Sequence, residues 1–282
     1  MQQATIGKTI YRVYDSAEDL LAACQRVAEH RVEATVELDW EAFVGRRFTT
    51  WAEVYAAVRQ AWPEGLQVLE RMLDDLSRAS VPRPVSRRRK TRFAEDNGDE
   101  LDYDRLRTGQ PFWRTSRRET AQGSSVLTIV VDVGANWKTR HQDILWRGAA
   151  AIALTQRLEE AGYRVELWAV QKSSNLYSDE PRGDRWTIAG MNAVCLKRPS
   201  DPIDPSTLIS LVSGWCFRTV FFRAKCQGRL RIKGSLGRAA VPQAADLDQI
   251  TTDQRRVLIA GAFSYSGALA IVRGVLAELA RQ

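Results

Sequence analysis

The chain has 282 residues, 44% hydrophobic and 27% charged, which suits a soluble globular protein with one sizeable α/β domain plus a smaller unit, or two modest domains. No apolar run approaches the roughly 18 residues that span a bilayer, and the N-terminal stretch MQQATIGKTIYRVYDSAEDLL lacks the apolar core of a signal peptide, so a cytoplasmic setting is the default expectation. The net charge of +7 permits polyanion binding without demonstrating it, while Cys24, Cys195, Cys216 and Cys226, none in CxxC spacing and joined by only two histidines, argue for reduced, mostly buried thiols over a structural zinc.

Three regions separate by composition. Residues 1–79 read as a helical region. Asp15 and Ser16 can cap AEDLLAACQRVAEH, Thr50 precedes WAEVYAAVRQ, and Pro63 opens a third helix in which Leu66, Leu69, Met72, Leu73 and Leu76 recur at helical spacing. Trp40, Trp51 and Trp62 are expected to help fill a small helical core; a stacking platform for bases is the other reading. Residues 80–121 read as a charged linker or arm. Arg83, Arg87, Arg88, Arg89, Lys90 and Arg92 occur with no acid, Pro82 and Pro84 argue against helix and sheet, and like charges extend the chain. Six acids follow between Glu95 and Asp104, and the basic arm can lie along them or meet an external polyanion.

Residues 122–282 read as α/β with a mainly parallel sheet flanked by helices. Strands are expected at Val126–Val133, Val165–Gln171, Ala193–Lys197 and Val257–Ala260. Helices are expected at Asp143–Ala161, after a Ser206 cap, and at Ser266–Arg281. The strand LTIVVD delivers Asp132 to the rim of the sheet, where open α/β sheets bind ligands. Asp132, Gly134 and Asn136 form a D-x-G-x-N turn. It can hold a divalent ion or a partner's basic group, or Asp132 can simply cap its own turn. Trp137 beside it is either an exposed anchor for a partner or packed under the following helix.

VLTIVVDVGANW resembles the first strand and turn of von Willebrand factor A-like domains, in which a D-x-S-x-S pattern helps hold a magnesium ion that bridges to a partner's carboxylate. GDELDYDRLRTGQPFWRTSRRE, residues 98–119, is similar to the stretch preceding such domains in bacterial cobaltochelatase accessory subunits, and LWRGAAAIALTQRLEEAGYRVELWAVQ resembles the first helix and second strand of the family. The overall pattern is also similar to bacteriophage and bacterial proteins of unknown role. The resemblance implies a Rossmann-like fold, a magnesium ion at Asp132, and a ring ATPase or phage assembly component as partner. The chain departs from the pattern: Gly134 and Asn136 replace serines, and VLIAGAF carries Gly261 where the family has aspartate-glycine. One carboxylate and one amide make a poor octahedral magnesium site, so no cofactor is expected.

A second basic zone, 205–245, holds Arg218, Arg223, Lys225, Arg229, Arg231, Lys233 and Arg238 without an acid, interleaved with Trp215, Phe217, Phe221 and Phe222. Arginine with aromatics can contact phosphate backbones and stack bases; a solvated basic face over a buried aromatic one is the other reading. No nucleophile–base arrangement, Walker loop or dinucleotide fingerprint is present, and Asp201 and Asp204 in SDPIDP read as turn residues. The expectation is a non-enzymatic interaction or assembly module that contacts a partner at Asp132, Gly134, Asn136 and Trp137. The alternative is a nucleic-acid-binding accessory protein using the arginine-rich segments.

Overall fold

The computed structural model describes residues 1–27, 40–122, 126–177, 187–227, 238–251 and 255–281. The chain begins with a hairpin, β1 (Gln2–Ile6) and β2 (Thr9–Tyr14), turning at Gly7 with φ +58°. Helices α1 (Ala17–Gln25), α2 (Glu41–Val44), α3 (Trp51–Val58) and α4 (Pro63–Leu76) follow. Next come β3 (Val85–Ala94), β4 (Glu100–Leu101), α5 (Tyr103–Arg107) and β5 (Trp113–Gln122). Then β6 (Val126–Asp132), α6 (His141–Glu160), β7 (Arg164–Tyr177), β8 (Thr187–Lys197) and α7 (Pro205–Leu211) lead to α8 (Gly214–Cys216). A π-helical turn, Phe217–Phe221, joins α8 to α9 (Phe222–Lys225). The remaining elements are β9 (Arg238–Ala240), α10 (Ala244–Leu247), β10 (Arg256–Ile259) and α11 (Tyr265–Arg281).

The main sheet runs β1-β2-β8-β7-β6-β10, with β9 also paired to β7. The three strands from β7 through β6 to the edge strand β10 are parallel: Val126–Asp132 lies beside Arg164–Val170, and Thr128–Val131 beside Arg256–Ile259. β2 adds a further parallel pairing to β8, whereas β1–β2, β7–β8 and β7–β9 are antiparallel. The expected mixed α/β class and central parallel strands are therefore present. These parallel strands carry apolar runs because both faces of the sheet are covered.

Helices α1, α3, α4, α6, α7 and α11, with the π-helical stretch, contribute to one large apolar core on one face of the sheet. Leu20, Val54, Leu69 and Met72 from the N-terminal helices share this core with Ile152, Phe217 and Phe221. The opposite face carries a smaller cluster, Tyr11, Val130, Trp168, Val170, Met191, Ala193 and Cys195, covered among the described residues by Leu247 and Ile250.

Helix ends follow local chemistry. Ser16 Oγ accepts the Asp19 N–H, Thr50 Oγ1 accepts the Glu53 N–H, and Pro63 occupies the first turn of α4, where its missing N–H costs nothing. Asp204 caps α7 by accepting the Ser206 N–H, correcting the expectation that Ser206 is the cap. α6 stops before Gly162, whose φ of +98° suits a residue without a side chain.

Two further expectations are corrected. Residues 1–79 are not helical throughout, since β1 and β2 extend the sheet through pairing of Thr9–Tyr14 with Ala189–Val194. Residues 80–121 are not an unpaired linker, because β3 and β5 form an antiparallel ribbon with β4 added at its end. Pro82 and Pro84 lie just before β3, so no ladder hydrogen bond is lost to them. Trp51 and Trp62 pack on the core as expected, but Trp40 is 50% exposed and stacks on Phe43 at 4.8 Å. All four cysteines are buried and free.

Candidate functional site

The carboxyl end of β6 places Asp132 beside β7 and, through the adjacent β10, beside the loop at Gly261. The chain does not open outward at once. The Val133 N–H still donates to Val170 O at 2.9 Å. β9 pairs with Lys172–Ser174 on the same side of β7 as β6, so it occupies the row just past Asp132. Asp132 is consequently only 3% exposed. One carboxylate oxygen accepts the Gly134 N–H at 2.9 Å, and the other lies 4.0 Å from Arg147 Nη1. Arg147, projecting from α6 and 2% exposed, also donates to Gly134 O at 3.0 Å. Burial pushes the Asp132 carboxyl up to about 6, with the Arg147 charge and the Gly134 N–H opposing it.

This geometry corrects the expectation that Asp132 and Gly134 are contact surface: both are buried, and Asp132 is spent on its own turn and on Arg147. Neither does the turn fit magnesium. Gly134 offers no side-chain donor, Asn136 Oδ1 accepts the Lys138 N–H at 3.1 Å, and a guanidinium stands beside the single carboxylate. Among the described residues no cluster of three or more His, Cys, Asp or Glu is placed to hold a metal. Native mass spectrometry in magnesium is expected to give equal metal content for the wild type and Asp132→Ala.

Beyond this buried pair the rim reaches solvent. Asn136 is exposed, and Trp137 is 69% exposed with Lys138 Nζ 5.5 Å from its ring. From the neighbouring strand β10 the chain turns at Gly261, φ +73°, buries Ala262, and presents Phe263 at 56% exposure. Arg147 lies 6.0 Å from the Phe263 ring, so a single guanidinium connects Asp132, the Gly134 carbonyl and Phe263. Sequence reasoning missed Phe263 and Arg147. A phenylalanine two residues after the strand-ending glycine in VLIAGAF was the available signal for the first; nothing in the helical periodicity of α6 marks Arg147 as the partner of Asp132.

The basic zones are divided. Arg218, Arg223 and Lys225 are buried, correcting the expectation that they present charge to a polyanion. Arg218 donates to the carbonyls of Phe43 and Thr139. Arg223 donates to Cys24 O at 2.9 Å and Val27 O at 3.0 Å, carbonyls at the end of α1 that favour a cation. Lys225 lies 4.9 Å and 5.7 Å from the Phe222 and Phe217 rings, and burial pushes its amine down to about 7. Arg229, Arg231 and Lys233 lie outside the described residues. Arg87, Arg88, Arg89, Lys90 and Arg92 fall on β3, where the register sets Arg89 opposite Arg118 and Lys90 opposite Arg117.

These features define a mixed α/β protein with a central sheet that is mostly parallel, whose carboxyl edge is internally ion-paired and rimmed by exposed aromatics. The chain belongs to the family described as "Domain of unknown function (DUF7192)", whose model matches residues 2–279. No curated protein and no solved structure matches it. Among the described residues, no helix is long and apolar enough to cross a membrane.

Proposed function

We propose that the protein is a non-enzymatic interaction module of the cytoplasm that grips a partner protein at the carboxyl rim of its sheet. The observation that carries this reading is the pair of exposed aromatics, Trp137 and Phe263, on loops leaving the adjacent parallel strands β6 and β10. Large aromatics held on a rigid base are efficient anchors for a protein interface, and the Asp132–Arg147 pair fixes the base of both loops. The resemblance to von Willebrand factor A-like domains supports the same edge, since two of the segments that carry it form the adjacent parallel strands β6 and β7 joined by α6. It also suggests a ring ATPase or a phage assembly component as partner. A photo-crosslinking residue at position 137 or 263 is expected to capture the same discrete partner in cells of origin. Position 103, where Tyr103 is 69% exposed on α5, serves as control. Equal capture from all three positions overturns the reading.

The register of β3 and β5 favours a second reading, contact with nucleic acid. The register sets Arg89 opposite Arg118 and Lys90 opposite Arg117, with Arg88 opposite Glu119 beside them, so positive residues concentrate on the ribbon, and a two-stranded ribbon fits the major groove. Double charge reversal at Arg88 and Arg89 is expected to flatten the salt dependence of DNA or RNA binding. Absence of binding at low salt removes this reading.

A further inference from the structure

A cleft separate from the aromatic rim opens between α2, the start of α4 and the start of α6, with a volume of about 590 Å³. That is the size of sites that enclose small molecules, roughly 300–1,000 Å³. Its walls are held in place. Arg218 donates to Phe43 O in α2 and to Thr139 O just before α6, joining two sides of the cleft. His141 is pressed between Gly45 and Gly214: a Cβ on Gly45 would sit 2.4 Å from its ring, and one on Gly214 2.6 Å from its carbonyl oxygen.

We propose that this cleft binds a planar aromatic molecule that carries an anionic group. Two half-buried indoles, Trp62 and Trp146, supply flat faces for the ring. Trp62 is itself braced edge-on by Trp215, with ring centroids 6.2 Å apart. Arg46 and Arg47 supply the positive charge. Arg46 is backed by the Phe48 and Trp215 rings at 5.3 Å and 5.8 Å, whereas Arg47 is exposed and has no partner among the described residues. Gln142 and His141 line the same space, also without hydrogen-bond partners for their side chains among the described residues. Burial and the nearby Arg218 keep the imidazole below its usual pKa against the opposing influence of Asp143 and Glu41, so at neutral pH it is an uncharged donor or acceptor. Glu41 and Glu64 give the cleft acceptors for ring N–H or hydroxyl donors. A ring, donors and one anion together describe a nucleoside monophosphate or an aromatic carboxylate.

Isothermal titration of the full chain distinguishes these sources. The probes are the four ribonucleoside monophosphates, the corresponding nucleosides, inorganic phosphate and indole-3-acetate. At least one anionic aromatic is expected to bind saturably below about 1 mM, and about tenfold or more tighter than either its uncharged counterpart or phosphate alone. Arg47→Glu, at an exposed position without a partner among the described residues, is expected to weaken that binding about tenfold, and so is Trp146→Leu. Tyr103→Ala, exposed on α5 and outside both the cleft and the rim, leaves it unchanged. The inference is overturned if no anionic aromatic binds by about 10 mM, or if Arg47→Glu binds as well as wild type while its melting temperature is unaltered. Failure of crosslinking at Trp137 has no bearing on these titrations, so the two readings fail separately.

Discussion

At the scale of single residues, several charged side chains are buried where desolvation costs most, Asp132, Arg147, Arg218, Arg223 and Lys225 among them. Asp132 and Arg147 are both almost wholly buried at the end of the central strand. Removing one charge strands the other, so Asp132→Ala is expected to cost roughly 3 kcal/mol in urea unfolding. Asp132→Leu combined with Arg147→Met is expected to recover much of that loss, because the second charge no longer needs a partner. Lys225 carries a pH signature. Its folded pKa, about 7, lies below that of the free amine, so the unfolded chain binds more protons between about pH 7 and 10. Its contribution to stability therefore rises with pH through that window, by at most about 1.4 kcal/mol per pH unit. Comparison of denaturation midpoints against pH for the wild type and Lys225→Met checks this: the variant should show the shallower rise.

At the scale of elements, legibility followed the length and polarity of the burying surface. α4 was legible because its leucines keep one face and Pro63 marks its start; Leu69, 2% exposed, is expected to cost about 3 kcal/mol when truncated to alanine. β6, α6 and β7 were legible because strand and helix alternate with short connections. β1 was not, since all five of its residues are exposed and carry no burial pattern. The β3–β5 ribbon was illegible for a different reason: a run of like charge looks unstructured when its partner strand lies beyond an acidic turn and a short helix. The stretch from Trp215 to Lys225 misled most. Its arginines alternate with aromatics as on a half-exposed helix, yet the π-helical turn is packed on every side and the arginines reach backbone carbonyls instead of solvent. For the candidate site, sequence marked Asp132 and Trp137 but not the guanidinium that occupies the turn.

At the scale of the molecule, the compositional regions are not independent folding units. Helices before residue 79 fill the same core as α6, α11 and the π-helical stretch, and the N-terminal hairpin supplies two strands of the sheet. Deleting residues 1–79 strips Trp215 of Phe48 and Trp62, and Phe222 of Phe43, and opens the shared core, so a chain of residues 80–282 is expected to be insoluble or unfolded. The intact protein is expected to unfold in one transition, with tryptophan fluorescence and far-ultraviolet circular dichroism tracing coincident curves. A separate early transition confined to the N-terminal helices would contradict the shared core.

The lightly covered face of the sheet depends on a small fastening. Asp246 in α10 accepts the Tyr11 hydroxyl at 2.9 Å and the Lys172 ammonium at 2.6 Å, which holds α10 and its Leu247 against the smaller apolar cluster that includes Trp168 and Cys195. Reactivity of Cys195 therefore reports whether this clasp is closed. In Asp246→Ala, alkylation mapped by mass spectrometry should accelerate at Cys195 while Cys24 and Cys216, beneath the thick helical layer, stay protected.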